Sequence, residues 1–478
     1  MMYDVVIVGA GVIGGMLARQ LSKYRLSVCL LEKENDVAMG ASRAKSGIVH
    51  GGYDPEPGTL KAKLNAEGVE KLFNVAAELH APILRNGSFV CAFGTEEEEN
   101  TLRELYERGQ VNGIPNLSLI SGEEAREMEP ALSEKVSLVL NVPNAGIVCP
   151  YELTIAAIGN AMDNGVCLKT NYAVNGIEKT EKGFSVTAAS GEVVEAKYVV
   201  NCAGCYSDKI AQLVGDDFFI IIPRAGEYMM LDKTEGSRVS HTIFQVPSVE
   251  GKGILVSPTV DGNLLTGPTA IKVADPACTE TTPEGLEQVA RLASKSVPSV
   301  NFRQVITSFS GVRSSEKNGD FIIIPANGVE NMVHVAAIDS PGLTSCVAIA
   351  DYTIELLREM GLVTECDPTF NGTRENPHAF REMNDDEKDA YIKEHPAYGK
   401  IVCRCETVSE GEIRDAIRRN PPATDIDGVK RRTRSGMGRC QGGFCMPYVM
   451  RLLSEENNTP MEQITKNGAG SEQLKHRI

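Results

Sequence analysis

The N-terminus constrains the fold of this chain more than any other segment, because an uninterrupted β-branched run there leads directly into closely spaced glycines. Val5-Val6-Ile7-Val8 is typical of a strand buried on both faces of a parallel sheet. Gly9-Ala10-Gly11-Val12-Ile13-Gly14 follows without a gap. We predict a helix over 16–23 and a second strand over 26–31 that ends at Glu32. The chain is therefore expected to open with a strand–helix–strand unit.

The three glycines each match a requirement of nucleotide binding. Gly9 permits a tight turn, Gly11 lets backbone N–H groups approach a pyrophosphate, and Gly14 allows the helix and strand to pack closely. The helix N-terminus provides partial positive charge for phosphates. Glu32 follows at the distance expected of an acid that hydrogen-bonds a ribose. Three glycines at this spacing arise by chance in glycine-rich chains, but strand, glycines, helix, strand and acid in this order predict a dinucleotide site.

Composition narrows the class of protein. With 478 residues, 42% hydrophobic residues and 45 glycines, the chain fits a multidomain α/β enzyme. The net charge of −16 and the absence of tryptophan argue against nucleic acid as a partner. No apolar stretch reaches about 18 residues, so no membrane-spanning helix is expected. The apolar run begins directly after Asp4, which leaves no basic signal region, and we predict a cytoplasmic protein.

The choice between FAD and NAD depends on the segments that follow. Residues 40–52 form a loop of small residues, which lets the backbone run close to a large planar cofactor. Ser46-Gly47-Ile48-Val49-His50 and Pro57-Gly58-Thr59-Leu60-Lys61-Ala62 resemble the D-amino-acid-oxidase-like FAD superfamily. The nearest likeness is to its L-2-hydroxyglutarate and glycerol-3-phosphate oxidising branches. This resemblance implies FAD as the cofactor.

Three later stretches extend the resemblance in family order over about the first 365 residues. Tyr198–Gly204 resembles a strand and turn set against FAD, and Ser310–Arg313 resembles the segment whose arginine holds the anionic end of the substrate. Asp339–Ser345 opens a predicted helix over 347–359, whose free N–H groups would face the flavin pyrimidine. The cofactor-binding residues implied are Gly9, Gly11, Gly14, Glu32, Lys33, Ser42, Ser46, Gly47, Val174, Ala203, Gly204, Gly342, Leu343 and Thr344.

The resemblance also implies an interleaved architecture of the α/β class. We expect a Rossmann-type FAD-binding domain in three parts and a mixed-sheet, α+β substrate domain in two. The FAD-binding parts are residues 1–80, 140–212 and 328–365, and the substrate parts are residues 81–139 and 213–327.

Three residues are candidates for catalysis. His50 lies in the flavin-facing loop and could remove a hydroxyl proton, although a histidine between small residues is often structural. Arg313 suits recognition of a carboxylate or phosphate, although a surface arginine is the simpler interpretation. Tyr228 and its neighbour Arg224 resemble a strand that lines the substrate cavity, and they are weaker candidates because half of an alternating strand faces elsewhere.

The cysteines fall into two groups. Nine of the 13 are scattered, and we interpret most of them as buried free thiols. Cys403-Arg404-Cys405 and Cys440-Gln441-Gly442-Gly443-Phe444-Cys445 instead form two close pairs, which in a cytoplasmic chain indicates a metal site. Zinc is the alternative, but zinc ribbons usually have two residues between paired cysteines, whereas Cys403 and Cys405 have one between them. The spacing resembles bacterioferritin-associated-ferredoxin-like domains, which implies a 2Fe–2S cluster held by these four thiolates.

The cluster motif belongs to a small helical region that we place at residues 399–478, after a polar linker over 366–398. A capping box from Ser409 to Glu412 predicts one helix start, and Pro447 predicts another. The basic run 430–439 would suit nucleic acid in a basic protein. In this acidic chain we expect it to compensate the cluster or to dock an acidic redox partner.

Together these patterns predict an FAD-dependent dehydrogenase for a small anionic CH–OH substrate, glycerol 3-phosphate or a 2-hydroxy acid. Electrons would leave singly through the cluster to a second redox protein, most simply another flavoprotein subunit, which would also provide any membrane association. Two alternatives stay open: an amine or amino-acid dehydrogenase of the same superfamily, and a non-catalytic electron-transfer subunit.

Overall fold

A computed structural model describes residues 2–247 and 253–474. Its first sheet is built on the N-terminal strand, in the order β10-β11-β12-β1-β2-β9, with β20 on β12 and β19 on β20. The strands are β1 (Met2–Val8), β2 (Val28–Leu31), β9 (Cys167–Lys169), β10 (Val174–Thr180), β11 (Gly183–Ala188), β12 (Val193–Asn201), β19 (Ile322–Pro325) and β20 (Met332–Ala336).

The centre of this sheet is parallel and buried. β1 pairs in parallel with both β2 and β12, and β12 pairs in parallel with β20. Val5, Val6 and Ile7 have no exposed surface, which is why that run contains no polar residue. The mixed α/β architecture predicted from the sequence is therefore confirmed. β19 also belongs to this sheet, although the sequence interpretation assigned residues up to 327 to the substrate part.

A second, mostly antiparallel sheet forms the other large layer, in the order β17-β13-β16-β15-β14-β5-β7-β6, with β18 on β13. Its apolar core is separate from that of the first sheet and contains Phe89, Ile243 and Leu264. The strands are β5 (Ser88–Ala92), β6 (Ser118–Ser121), β7 (Leu138–Val142), β13 (Ile222–Leu231), β14 (Thr242–Gln245), β15 (Leu255–Pro258), β16 (Leu264–Gly267), β17 (Ile271–Lys272) and β18 (Val305–Ser315).

Helices cover both layers, and two short sheets complete the fold. The short strands are β3 (Ile48–Val49), β4 (Ile83–Leu84), β8 (Gly146–Val148), β21 (Ile401–Cys403) and β22 (Val408–Ser409). The helices are α1 (Val12–Leu21), α2 (Leu60–Glu78), α3 (Glu96–Val111), α4 (Gly122–Met128), α5 (Pro150–Asp163), α6 (Ser207–Gln212), α7 (Pro283–Ser296), α8 (Gly342–Glu359), α9 (Ala379–Glu382), α10 (Asp385–Glu394), α11 (Glu410–Arg418), α12 (Ile426–Thr433) and α13 (Met446–Asn457). Within the described residues, none of these helices is long and apolar enough to cross a membrane.

The first helix begins earlier than its sequence pattern predicts. Gly11 is the N-cap of α1, so the helix starts at Val12 rather than at Met16. Gly14 therefore lies within the first turn, where a Cβ would come within 2.0 Å of the Gly9 carbonyl oxygen. Close packing of strand and helix is what this glycine permits.

The segment predicted as a polar linker is folded against the rest of the chain. The side chain of Arg19, which is buried, donates to the carbonyl of Gly372, and Arg374 forms an ion pair with Asp163. α10 has a capping box at Asn384, and none of its residues is buried. The acidic run there is a solvated helix face, but residues 366–398 act as a fixed strap rather than a loose connection.

The C-terminal region has its own small core. Val408, Ile413, Val429 and Leu452 are buried together in a cluster whose buried members run from Cys403 to Ile464. Both predicted helix starts are confirmed: α11 has the capping box from Ser409, and α13 carries proline in its first turn. We call residues 399–474 the cluster domain and residues 2–365 the body.

Candidate active site and metal centre

The glycine loop and the end of β2 form one half of the candidate site. The Glu32 carboxylate accepts hydrogen bonds from the N–H groups of Ala10 at 2.9 Å and Glu34 at 3.0 Å. Burial raises the pKa of this carboxyl group. The two bonds fix its orientation at the mouth of the loop, as ribose binding requires. The Ser42 hydroxyl accepts from the Val12 N–H at 2.9 Å and ties the small-residue loop to the start of α1.

The remaining dinucleotide candidates lie around this carboxyl end of the sheet. A Cβ on Gly9, which has φ +107°, would come within 2.5 Å of the Cys202 carbonyl oxygen, so the glycine loop lies directly against the turn that carries Ala203 and Gly204. The Lys33 ammonium stands 4.4 Å from the centre of the Tyr206 ring. Val174 opens β10, two residues after Tyr172, whose N–H donates to the Glu32 carbonyl. The structure thus groups the predicted dinucleotide residues.

The other half of the site joins residues 46–50 to the start of α8. Thr344 Oγ1 accepts a 2.7 Å hydrogen bond from the His50 N–H. Pro341 is the N-cap of α8 and provides no side-chain cap, and the N–H groups of Leu343 and Thr344 have no acceptor among the described residues. These free donors at a helix N-terminus suit a group on which negative charge develops. Gly47 takes φ +71°, where a Cβ would meet the Val148 carbonyl at 2.4 Å.

One face of the β13–β18 pair is turned toward the small-residue loop of residues 40–52. Gly311 lies on that face, and a Cβ there would come within 1.8 Å of the Ala44 carbonyl oxygen. Arg313, two residues along, points the same way, since alternate residues of a strand share a face. A Cβ on Gly226, which pairs with Gly311, would come within 2.7 Å of the Arg313 guanidinium. Gly226 therefore leaves the room that this side chain occupies.

Tyr228 lies further along the same face. It is buried and stacks on Phe309, with ring centres 4.9 Å apart. Arg224 pairs directly with Arg313 but is exposed. The structure thus brings Tyr228 and Arg313 onto the face of β13 and β18 that is turned toward the small-residue loop, while Arg224 lies at its outer edge.

His50 is linked to the strand of Arg313 through residues 338–340. Its Nε2 lies 3.1 Å from the Ser340 hydroxyl. The next residues of β18 reach the same segment, since Ser314 donates to the Ile338 carbonyl and Ser315 donates to the Asp339 carboxylate. Candidate base and candidate anion anchor therefore flank one short segment at the N-terminus of α8.

Sequence reasoning missed residues that hold this arrangement. The Asn65 side chain donates to the His50 carbonyl at 3.1 Å, and Lys61 pairs with Asp339 at 2.5 Å. Lys45 is a second cation beside Arg313: burial lowers its pKa to about 8, with the nearby Arg313 charge adding to the effect. Lys45 lies in the same small-residue loop as His50, so its position in that loop was the available signal.

The four cysteines of the cluster domain form the second centre. The Sγ atoms of Cys405 and Cys440 are 3.6 Å apart, close to the ~3.8 Å expected of two thiolates at ~2.3 Å from one tetrahedral metal. Cys403 and Cys445 form the other pair, and the hydrogen bond from Cys445 lowers the pKa of Cys403 to about 5. Cys403 and Cys445 are buried, whereas Cys405 is exposed. The donor set therefore fits a 2Fe–2S cluster, which these four cysteines would hold as thiolates.

The scattered cysteines are distributed as expected for free thiols. Each of them is unpaired, and Cys366 is exposed. The buried ones are Cys29, Cys91, Cys149, Cys202 and Cys346.

The basic run 430–439 corrects one expectation, because most of it faces the body rather than an outside partner. Arg431 and Arg432 both pair with the buried Asp36, at 2.5 and 2.7 Å. Arg434 pairs with Asp261 at 2.6 Å. A desolvated guanidinium forms strong, oriented bonds to carboxylates, so these arginines join the cluster domain to the body. They compensate acids of the chain itself.

Arg439 is the exposed member of that run. Its side chain is 64% exposed, and it pairs with Asp232 at 3.0 Å. The prediction that residues 430–439 together form a docking face for a partner is therefore wrong.

The fold and the two centres define a class: an oxidoreductase with a dinucleotide-binding α/β body and a separate iron–sulfur domain. Comparison with known proteins gives the family. Residues 4–356 match the FAD dependent oxidoreductase family, and residues 401–455 match the BFD-like 2Fe-2S binding domain. The chain belongs to the FAD dependent oxidoreductase family and uses FAD and a 2Fe–2S cluster.

Three relatives describe how far this likeness extends. The chain is 46% identical to the glycerol 3-phosphate dehydrogenase of Caloramator mitchellensis over 470 residues, 98% of both chains. It is 33% identical to the glycerol 3-phosphate oxidase of Mycoplasma genitalium over 74% of this chain and 94% of the relative. A solved structure of dithionite-reduced L-α-glycerophosphate oxidase of Mycoplasma pneumoniae, with FAD bound, superposes with TM-score 0.74 at 32% identity, covering 78% of this chain and 98% of the other.

Proposed function

We propose that this enzyme is a glycerol-3-phosphate dehydrogenase that oxidises the secondary alcohol of its substrate and passes the electrons out through the cluster domain. The observation that carries the proposal is the placement of His50 and Arg313 on either side of residues 338–340, at the free N-terminus of α8. The near full-length likeness to the Caloramator mitchellensis dehydrogenase supports this substrate. Lys45 beside Arg313 adds a second positive charge, which suits a phosphate dianion.

The side chains divide the work of alcohol oxidation. Bound FAD supplies a two-electron hydride acceptor, and the 2Fe–2S cluster supplies a one-electron carrier. His50 removes the hydroxyl proton, while the hydrogen bond from its own N–H to Thr344 and the contact with Ser340 hold the ring in position. Arg313 binds the anionic end of the substrate and so fixes the carbon that reacts. Tyr228 closes the same face against Phe309.

Electrons leave the chain by the exposed side of the cluster, and we propose a second redox subunit, a flavoprotein, as their acceptor. Cys405 is exposed, and the aromatic side chains next to the second cysteine pair are exposed too, Phe444 to 85% and Tyr448 to 50%. Large exposed aromatics are typical of interaction surfaces. This surface replaces the basic run as the proposed contact.

The compartment is part of the same proposal. We place the enzyme in the cytoplasm, which is supported by the 13 cysteines, because none of them forms a disulfide and the nine outside the cluster motif are free thiols suited to a reducing environment.

The experiment that tests the proposal is anaerobic reduction of the purified enzyme, followed by flavin absorbance. Glycerol 3-phosphate should bleach the flavin within the turnover time of the enzyme. Glycerol serves as the control, because it has the same alcohol but lacks the anion for Arg313. Equal bleaching by both would remove the anion anchor from the proposal.

L-2-Hydroxyglutarate is the second candidate substrate, because residues of this chain are also 32% identical over 285 residues to the human mitochondrial L-2-hydroxyglutarate dehydrogenase. The relative is covered to only 61% of its length, and the identity is lower than to the glycerol 3-phosphate dehydrogenase. Lactate and several amino acids complete the substrate panel. Bleaching by an amino acid alone would favour the amine alternative, and no bleaching by any compound would favour a non-catalytic electron-transfer subunit.

A further inference from the structure

A cavity of about 270 Å³ lies where the body meets the cluster domain. The loop of residues 43–46 and residues 147–151 form one wall, strands β15, β16 and β18 form the second, and α12 with the following residues to Gln441 forms the third. Its volume is just below the range of ~300–1,000 Å³ typical of small-ligand sites. Both the flavin-facing loop and the cluster-binding segment contribute residues to it.

Two cations on the wall between the loop and α12 form no ion pair within the described residues, although the Asp427 carboxylate lies near both of them. Among the residues that the structure describes, the Met39 sulfur, at 3.7 Å, is the one hydrogen-bond partner of the half-buried Arg43 side chain. Lys430 forms no hydrogen bond or ion pair within 2–247 and 253–474. Burial lowers the pKa of both groups, and for each of them the nearby Arg431 charge adds to the effect.

Arg431 adds an unsatisfied donor to this wall. Its terminal nitrogen is held by Asp36, but its Nε is buried and has no acceptor in the described structure. A buried donor without an acceptor destabilises the fold. The cavity lining also contains the acids Asp261 and Asp427, which form ion pairs with Arg434 and Lys466. Arg43, Lys430 and the Arg431 Nε therefore remain available to an anion from outside the chain.

This cavity adjoins the candidate active site, with which it shares Lys45 and Phe309, but it is distinct from the dinucleotide site. Its lining contains none of Gly9, Glu32, Ala203 or Thr344, and the two sites share Ser46 among the predicted cofactor residues. The charged neighbours of Arg43 are Arg431, Asp427, Glu34 and Asp425, which are mostly residues of the cluster domain. Arg43 therefore faces α12 and not the glycine loop.

We propose that this cavity binds a small organic phosphate, with the phosphate between Arg43 and Lys430 and the organic part against the apolar wall. The apolar wall consists of the apolar side chains from all three sides of the cavity, namely Ile147, Val260, Leu265, Phe309 and Met437. A bare inorganic anion would leave it uncovered, whereas a ring or carbon chain would fill it. Because the phosphate contacts both the body and α12, bound ligand stabilises the docked cluster domain.

The test is ligand binding to the FAD-replete enzyme, which is independent of catalytic activity. AMP, pyrophosphate and inorganic phosphate are the probes, and adenosine is the uncharged control. Calorimetry and the melting temperature should show binding of AMP, weaker binding of the inorganic anions and none of adenosine. Flavin absorbance must stay unchanged, so that displacement of FAD is not mistaken for binding at the cavity.

Three variants locate the bound probe. Arg43→Met and Lys430→Met should each weaken AMP binding at least about tenfold, while Lys182→Met, which removes an exposed lysine far from the cavity, should leave it unchanged. Without ligand, Lys430→Met should melt at the same temperature as the wild type or higher, because it removes a half-buried charge that lacks a partner.

Each other outcome overturns the proposal. If neither AMP nor pyrophosphate binds, or if binding survives both cavity variants, the cavity is not a phosphate site. If the inorganic anions bind as tightly as AMP, the cavity holds an adventitious ion only, and the apolar wall contributes nothing to binding. A large loss of melting temperature in ligand-free Lys430→Met would mean that Lys430 serves packing and not ligand binding.

Discussion

The body and the cluster domain hold their redox groups in opposite ways. In the body, glycines let neighbouring backbone segments come into van der Waals contact with each other. The candidate catalytic residues lie where the two sheet layers meet. In the cluster domain, the four cysteines lie at the end of β21 and in the turns that follow it and precede α13, and Cys405 reaches the surface. The body is built to enclose a substrate, whereas the cluster domain is built to expose one edge of an electron carrier.

The contact between the two regions is also informative. It uses carboxylates of the body and arginines of the cluster domain, with Asp36 contacting both Arg431 and Arg432. Buried charged pairs cost desolvation energy and return it only with good geometry, so they specify orientation better than they add stability. The cluster domain is therefore held in one orientation relative to the flavin-facing loop.

The largest expected effect comes from removing a cluster ligand. Cys440→Ser should abolish electron delivery to a one-electron acceptor, because Cys440 and Cys405 form the exposed thiolate pair. Reduction of the flavin by substrate should stay largely intact. Cys278→Ser is a matched control that lies outside the motif, and its acceptor rate should equal that of the wild type. Wild-type delivery by the Cys440 variant would make the cluster structural.

The next effect separates the enclosing region from the exposed one. His50→Ala should slow flavin reduction about a hundredfold or more, since the hydroxyl proton then lacks an acceptor. Part of the loss should return at high pH, where the proton leaves more readily. His80→Ala, at an exposed helix end, is the control for rapid-mixing measurements. Unchanged reduction by the His50 variant would assign that residue a structural role.

Arg313→Ala should reduce kcat/KM by roughly a hundredfold, which corresponds to about 3 kcal/mol of lost transition-state binding, because a desolvated anion loses a bidentate partner. FAD content should not change. Arg303→Ala, an exposed arginine near the start of β18, serves as the control in steady-state kinetics. If glycerol 3-phosphate is used with the same kcat/KM by both variants, Arg313 does not contact the substrate.

The next effect is on stability rather than on turnover, and it concerns the contact between the two regions. Asp36→Asn removes the carboxylate partner of Arg432 and leaves the buried Arg431 only its longer 3.9 Å contact with Asp425, so the free energy of unfolding of the docked state should fall by about 3–5 kcal/mol. Asp217→Asn, on an exposed loop, should change it little. Limited proteolysis within residues 366–398 and denaturant unfolding would measure both. Resistance to cleavage equal to wild type in Asp36→Asn would contradict a docking role.

The same pair has a defined pH dependence. Burial alone would raise the pKa of Asp36, but Arg432 and Arg431 hold it well below its ordinary value. A depressed carboxyl pKa contributes stability that is present above the ordinary value of ~3.9 and is lost as the pH falls toward the folded value. Wild-type docking should therefore weaken in acid, and Asp36→Asn should lack this component.

The body was largely predictable from sequence because its motifs constrain the backbone. Gly14 is required by the close approach of the Gly9 carbonyl, a contact that is local in the chain. Gly9 is required by the close approach of the Cys202 carbonyl, and it was predictable because it belongs to the same glycine motif. The start of α1 at Val12 was not predictable from hydrophobic periodicity, since Gly14 and Gly15 in its first turn carry no apolar side chain to continue the pattern.

The placement of the cluster domain was not predictable, because it depends on contacts distant in sequence. Arg431 and Arg434 belong to a run of basic residues that is typical of an exposed surface. Their partners Asp36 and Asp261 are distant in sequence and come into contact with them only in the folded chain. The strap over 366–398 has a linker's polar composition for the same reason, since its partners Arg19 and Asp163 belong to the body. Lys45 was missed because the loop of residues 40–52 was interpreted through its small residues.

The central claim is that electrons from a CH–OH substrate pass through the body to the cluster within one chain. Anaerobic freeze-quench paramagnetic resonance after mixing with glycerol 3-phosphate tests it most directly. The account predicts that the signal of a reduced 2Fe–2S cluster appears after flavin absorbance falls, in the isolated chain and without an added partner. A flavin that stays fully reduced beside an oxidised cluster, through many turnover times, would contradict it.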